Sequence, residues 1–126
     1  MAKNILLVED DPVAALCLRH CLERLGLAAV RGVRQGEEAL ELLARDRFDA
    51  VLMDINLAGR LDGVETAARI NARSELPVIF LTGNRDPSTR RRAAATRHCA
   101  ILDKPVDPDQ LAAALRRALR PNPCPP

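Results

Sequence analysis

Tryptophan and tyrosine are absent from the chain, and phenylalanine occurs only at Phe48 and Phe80. Unpaired bases therefore find few aromatic platforms to stack on, and a formal charge of +2 supplies no basic excess to hold a phosphate backbone. Nucleic acid is not an expected partner. Long apolar runs are missing as well: none approaches the roughly 18 residues that a membrane span requires. The apolar stretch at 5–8 is cut by Glu9, Asp10 and Asp11 before it could act as a secretory signal. No membrane partner is expected, and the default address is the cytoplasm. Neither G-x-G-x-x-G nor G-x-x-x-x-G-K-S/T occurs, which removes the common nucleotide-binding signatures. The four cysteines, Cys17, Cys21, Cys99 and Cys124, lack C-x-x-C spacing and are read as reduced, with Cys17 and Cys21 as small apolar filler on one helix face.

What is present fits one globular domain. A length of 126 residues, 48% hydrophobic and 29% charged, is enough for one core and too little for two. Five short apolar runs, at 5–8, 27–30, 50–53, 78–81 and 100–102, have the length and branching of buried strands. Helical spacing separates them, as in Leu18, Leu22, Leu25 and in Leu111, Leu115, Leu119. Asp11-Pro12, Asp86-Pro87 and Asp107-Pro108 mark three helix starts, because Asp caps the first N–H groups and Pro at the first helical position loses no hydrogen bond. Alternating strands and helices predict an α/β fold, a doubly wound five-stranded parallel sheet in a three-layer sandwich. After residue 120 the prolines at 121, 123, 125 and 126 predict an extended tail over 121–126.

In such a sheet, ligands bind beyond the carboxyl ends of the strands. Those ends carry Glu9, Asp10 and Asp11, then Asp54 and Asn56, then Thr82 and Gly83, and finally Lys104-Pro105. If Asp10, Asp11 and Asp54 approach to roughly 5 Å, each pair repels by about 3 kcal/mol at an effective dielectric near 20. A hard divalent cation relieves that cost. Mg2+ suits an open rim, since it takes a few carboxylates and keeps its waters; Mn2+ is the alternative. Asp54 can then attack a phosphoryl donor, with the Lys104 ammonium and the Thr82 hydroxyl offsetting charge on the equatorial oxygens and Gly83 leaving space beside them.

The segments Leu6-Leu7-Val8-Glu9-Asp10-Asp11, Leu52-Met53-Asp54-Ile55-Asn56-Leu57, Leu81-Thr82-Gly83 and Lys104-Pro105 together resemble the receiver (CheY-like) family of bacterial response regulators. The resemblance covers residues 3–120, with residues 1–120 as the domain. It implies a flavodoxin-like fold and a phosphoryl group taken from a phosphohistidine on a sensor histidine kinase or a histidine phosphotransfer protein. It further implies Asp54 as acceptor, Asp10 and Asp11 as the acidic metal pair, the Asn56 carbonyl as a further metal ligand, and a cis Lys104-Pro105 bond. The expected behaviour is that of a single-domain switch which phosphorylates itself, slowly loses the group and signals to a downstream protein, rather than a turnover enzyme.

Three departures from the family pattern concern the relay of the signal. Ile101 occupies the place where many receivers carry an aromatic, Arg97-His98 replaces Gly-Ala, and the loop from Leu57 to Gly63 lacks a proline and is one residue longer. They bear on partner geometry more than on acceptor chemistry; Ile101 speaks for one alternative, a degenerate receiver that works as a phosphate-independent scaffold, and the intact set of Asp10, Asp11, Asp54, Thr82 and Lys104 speaks against it. Taken singly, Asp10 and Asp11 read as helix caps, Thr82 as an ordinary strand residue and Lys104 as a solvated surface lysine. Arg85, Arg90, Arg91, Arg92 and Arg97 read as a solvated or partner-facing helix, and His20 and His98 have no catalytic role. Asn56 and Asn84 flank the reacting centre.

Overall fold

The computed structural model describes residues 3–27, 29–83 and 86–121. Asn84, Arg85, Cys124 and all but the first residue of the expected tail lie outside the described residues, as does Ala28 within the second apolar run. Five strands, β1 (Asn4–Val8), β2 (Ala29–Val33), β3 (Ala50–Asp54), β4 (Val78–Thr82) and β5 (Ala100–Asp103), alternate with five helices. These are α1 (Pro12–Arg24), α2 (Gly36–Leu43), α3 (Gly63–Arg73), α4 (Pro87–Ala95) and α5 (Pro108–Ala118). The strands pair in parallel in the order β2-β1-β3-β4-β5, the expected doubly wound, flavodoxin-like sheet.

Strand alternation builds two cores from one sheet. Ile5, Leu7, Ala50, Leu52, Ile79 and Leu81 face α1 and α5, where Leu18, Leu22, Leu111 and Leu115 close the layer. Leu6, Val8, Val51, Met53, Val78 and Phe80 face the opposite way, against Ala39, Leu42, Val64, Ala67, Ile70 and Ala93 of α2, α3 and α4. Because both faces are covered, β3 and β4 are buried along their whole length, which is why they read as unbroken apolar runs. Among the described residues, no helix is long and apolar enough to cross a membrane.

Each Asp-Pro signal is a helix start: the side chains of Asp11, Asp86 and Asp107 accept from the N–H two residues on, with Pro in the first turn. The α3 start carries a capping box instead, Asp62 with Glu65. The second strand departs from expectation, lying at Ala29–Val33 rather than 27–30. Gly26 at φ +83° ends α1, and the Leu27 N–H still bonds the Leu22 carbonyl at 2.9 Å, so Leu27 belongs to the helix termination and packs on the core from there. Leu25 is the C-cap and 41% exposed, off the expected apolar stripe. Cys17 and Cys21 are free, whereas Cys99 is disulfide-bonded, which corrects the reading of four reduced cysteines. Spacing reveals C-x-x-C pairs; a cross-link without such spacing is decided by folding.

Candidate functional site

The strand order reverses between β1 and β3, since the chain leaves β1 for β2 on one side and then returns to β3 on the other. Residues just beyond the carboxyl ends of these two strands share the crevice at that switch point. Asp54 is the last residue of β3 and buried, and the Asn56 N–H donates to its Oδ1 at 3.1 Å. Glu9 follows β1, prolongs its pairing through an N–H bond to the Val33 carbonyl, and is also buried. Lys104 joins the two carboxylates: its Nζ lies 2.5 Å from Glu9 Oε1 and 3.3 Å from Asp54 Oδ1. The Lys104 N–H bonds the Thr82 carbonyl, and the expected cis Lys104-Pro105 bond is present.

Carboxylate oxygens of Glu9, Asp10 and Asp54 all lie within 4.8 Å of one another. The cluster thus contains Glu9 and Asp10 where the sequence suggested Asp10 and Asp11. Asp11 is not among the three: it is exposed, and its Oδ1 accepts from the Val13 N–H at 3.0 Å as the cap of α1. The Asp11-Pro12 dipeptide carried the signal of this cap, since Asp before Pro marks a helix start. Asp10, half-buried, accepts from the Ala58 N–H through Oδ2 at 3.0 Å, while Arg34 donates to its carbonyl at 3.3 Å.

Charge in the cluster is unevenly distributed. Burial, followed by the hydrogen bond with Asp54, pushes the Glu9 carboxyl up to about 7, against the opposing pull of Lys104. Burial disfavours the Lys104 ammonium, but its bond to Glu9 and the charge of Asp54 outweigh that and raise its pKa. One ammonium cannot neutralise three carboxylates. At such separations each like-charged pair still costs about 3 kcal/mol at an effective dielectric near 20, so the donor set suits a hard dication.

Thr82 ends β4 and is buried; β3 is in register with β4 through Asp54 and Leu81, so Thr82 stands one residue beyond the acceptor's partner. Gly83 is exposed, and a methyl group placed there would meet the Lys104 side chain, Cδ at 3.8 Å and Cβ at 3.9 Å, ordinary contact. Gly63 is the glycine the site requires, although the sequence reading assigned it no role. A Cβ there would fall 1.9 Å from the Asp54 carbonyl oxygen, so α3 starts this close to β3 only because residue 63 has no side chain.

Residues 5–116 match the family model described as "Response regulator receiver domain". The chain belongs to the response regulator receiver family. Curated relatives include the positive alginate biosynthesis regulatory protein of Pseudomonas aeruginosa, 38% identical over 94% of this chain and 48% of that protein. Another is the response regulator MprA of Mycolicibacterium vanbaalenii, 35% identical over 95% of this chain and 52% of that protein. The receiver spans about half the length of these relatives. Among solved structures, the signal receiver domain of a modulated diguanylate cyclase from Desulfovibrio desulfuricans superposes with a TM-score of 0.87 at 43% identity, over 94% of both chains. The receiver domain of a sensor histidine kinase from Pseudomonas aeruginosa gives a TM-score of 0.85 at 33% identity over 94% of this chain and 98% of that one. That structure holds a magnesium ion in its active site cleft. Receiver domains bind Mg2+ at an acidic pocket, and here Glu9, Asp10 and Asp54 form one.

Other residues singled out in the sequence make contacts within the fold. Arg90 pairs with Asp103 at 2.7 Å, Arg92 with Asp62 at 3.0 Å, and Arg97 donates to the Ser74 carbonyl at 2.7 Å. His98 Nδ1 lies 2.6 Å from the Thr96 carbonyl, and its ring packs against Phe80 with centroids 5.9 Å apart. Ile101 is half-buried and packs against the core cluster that contains Phe80 and Ala93.

Proposed function

We propose that this receiver accepts a phosphoryl group on Asp54 from a phosphohistidine of a sensor kinase or phosphotransfer protein and relays the change to a downstream protein. The observation that carries the reading is Lys104 Nζ set between Glu9 and Asp54, with Asp10 in the same carboxylate cluster. An Asp54 oxygen attacks phosphorus, the bond from phosphorus to the donor imidazole nitrogen breaks, and that nitrogen keeps the electron pair. Lys104 and the Thr82 hydroxyl would bind the phosphoryl oxygens once the group is on Asp54. Asp10, Asp54 and the Asn56 carbonyl would hold Mg2+, with Glu9 as the additional carboxylate at the pocket. Bound there, the cation supplies charge neutralisation between the acceptor and the incoming phosphoryl oxygens. The added charge of roughly −1.5 to −2 would then bias the region around Thr82 and α4.

The test is incubation with Mg2+ and acetyl phosphate, followed by intact mass measurement. Wild type should gain one acid-stable, base-labile phosphoryl group and Asp54→Ala none. Equal labelling of the variant, or no labelling of wild type, refutes the assignment. Ile101, in place of a gating aromatic, favours the scaffold reading. Under that reading, partner affinity is the same before and after labelling.

A further inference from the structure

The β3–α3 loop, residues 55–62, contains no proline, yet it holds the Ala58 N–H on a pocket carboxylate. Glu37, in the first turn of α2, is the group that reaches it. Its Oε1 accepts from the Leu61 N–H at 2.9 Å across 24 residues of sequence, and its Oε2 stands 3.2 Å from where a Cβ of residue 59 would be. Gly59 itself sits at φ +106°, in the backbone region that glycine alone enters readily. The conformation that turns Leu61 N–H towards Glu37 thus depends on a residue with no side chain. Beyond Leu61 the loop is fixed by the Asp62 capping box and by the Gly63 N–H bond to the Ile55 carbonyl at 2.8 Å. Among the described residues, Glu37 on Leu61 and Asp10 on Ala58 are the hydrogen bonds that tie the loop tip, residues 58–61, to the rest of the fold.

We propose that Glu37 is a positioning residue for the acidic pocket: by holding Leu61 it fixes the β3–α3 loop so that Ala58 stays on Asp10 Oδ2 and the Asp10 carboxylate keeps its place in the cluster. The inference rests on the reading of Asp10 as a metal-binding residue. A hydrogen-bond donor on one carboxylate oxygen orients the other, the role outer partners play around metal ligands. Glu37 is half-buried, and α2 begins at Gln35 without any side-chain cap bond, so the Glu37 carboxylate is directed at the loop rather than at its own helix end.

The experiment is Mg2+ titration of wild type, Glu37→Ala, Glu37→Gln and Gly59→Ala, together with amide exchange of Ala58 and Leu61 in the metal-free proteins. Glu37→Ala should bind Mg2+ about 10-fold more weakly, the lower end of the range for outer partners of a metal ligand. Its Leu61 and Ala58 amides should exchange faster than in wild type before any metal is added. Glu37→Gln keeps an oxygen acceptor and should titrate close to wild type. Gly59→Ala disturbs the same contact from the loop side and should weaken binding in the same direction, and it carries the test should Glu37→Ala be too unstable to titrate. At saturating Mg2+, the phosphorylation yield of Glu37→Ala should return to the wild-type level. Wild-type affinity in Glu37→Ala overturns the proposal, and so does a Glu37→Gln variant as weak as Glu37→Ala. A wild-type protein that binds no Mg2+ instead overturns the functional reading on which the proposal stands.

Discussion

Glu9 offers the sharpest physical test, because a buried carboxyl raised to about 7 makes folding stability depend on pH in a defined window. In the unfolded chain its carboxyl titrates at the ordinary value of 4.5. Between that value and about 7 the folded protein keeps a proton that the unfolded chain has lost. Stability from this group is therefore full below 4.5, falls as pH rises, and levels off above about 7. At about 1.4 kcal/mol per pH unit the total loss is roughly 3 kcal/mol. Glutamine is nearly isosteric with the protonated acid, so Glu9→Gln should match wild type near pH 4.5 and exceed it by up to that amount above pH 7. Urea unfolding with EDTA present, from pH 4.5 to 8, gives the wild-type minus variant difference and cancels the contribution of other titrating groups. Saturating Mg2+ should shrink the difference, since a cation favours the ionised carboxyl. A difference that stays flat with pH, or one that grows towards acid, would refute the burial argument.

Two further outcomes separate capping from metal binding and test close approach. Asp11→Ala should cost about 1 kcal/mol through the lost cap of α1 and leave Mg2+ affinity nearly unchanged, while Asp10→Ala should weaken Mg2+ strongly; calorimetric titration beside thermal unfolding reads both. Gly63→Ala should destabilise the fold by more than about 4 kcal/mol, the size reserved for a backbone clash, because the new methyl group would meet the Asp54 carbonyl; a circular-dichroism melt within a few degrees of wild type would contradict this.

Local chemistry made most of the architecture legible. Helix starts followed from Asp-Pro, where the cap and the fixed φ act within two residues, and β1, β3, β4 and β5 followed from short apolar runs. The second strand was misplaced because the edge of the sheet tolerates Arg31 and Gly32, so apolarity no longer marks its end. For the candidate site, the placement of Asp10, Asp54, Thr82 and Lys104 at the carboxyl ends of the strands was legible from the apolar runs that precede them. That Glu9 rather than Asp11 lies in the carboxylate cluster was not, because adjacent acids look alike until one is needed by a helix N–H.

The sequence by itself determined the α/β class, the parallel sheet and the rim on which the polar residues gather, since strand period, capping and crossover handedness are all local or nearly so. The tertiary structure alone decided that Lys104 reaches across 95 residues to Glu9, that Gly63 is the glycine the acceptor strand cannot do without, and that Cys99 is cross-linked. The Lys104–Glu9 contact joins segments far apart in the chain and the Gly63 approach depends on how α3 packs onto β3, and both exist only once the sheet has closed its two cores.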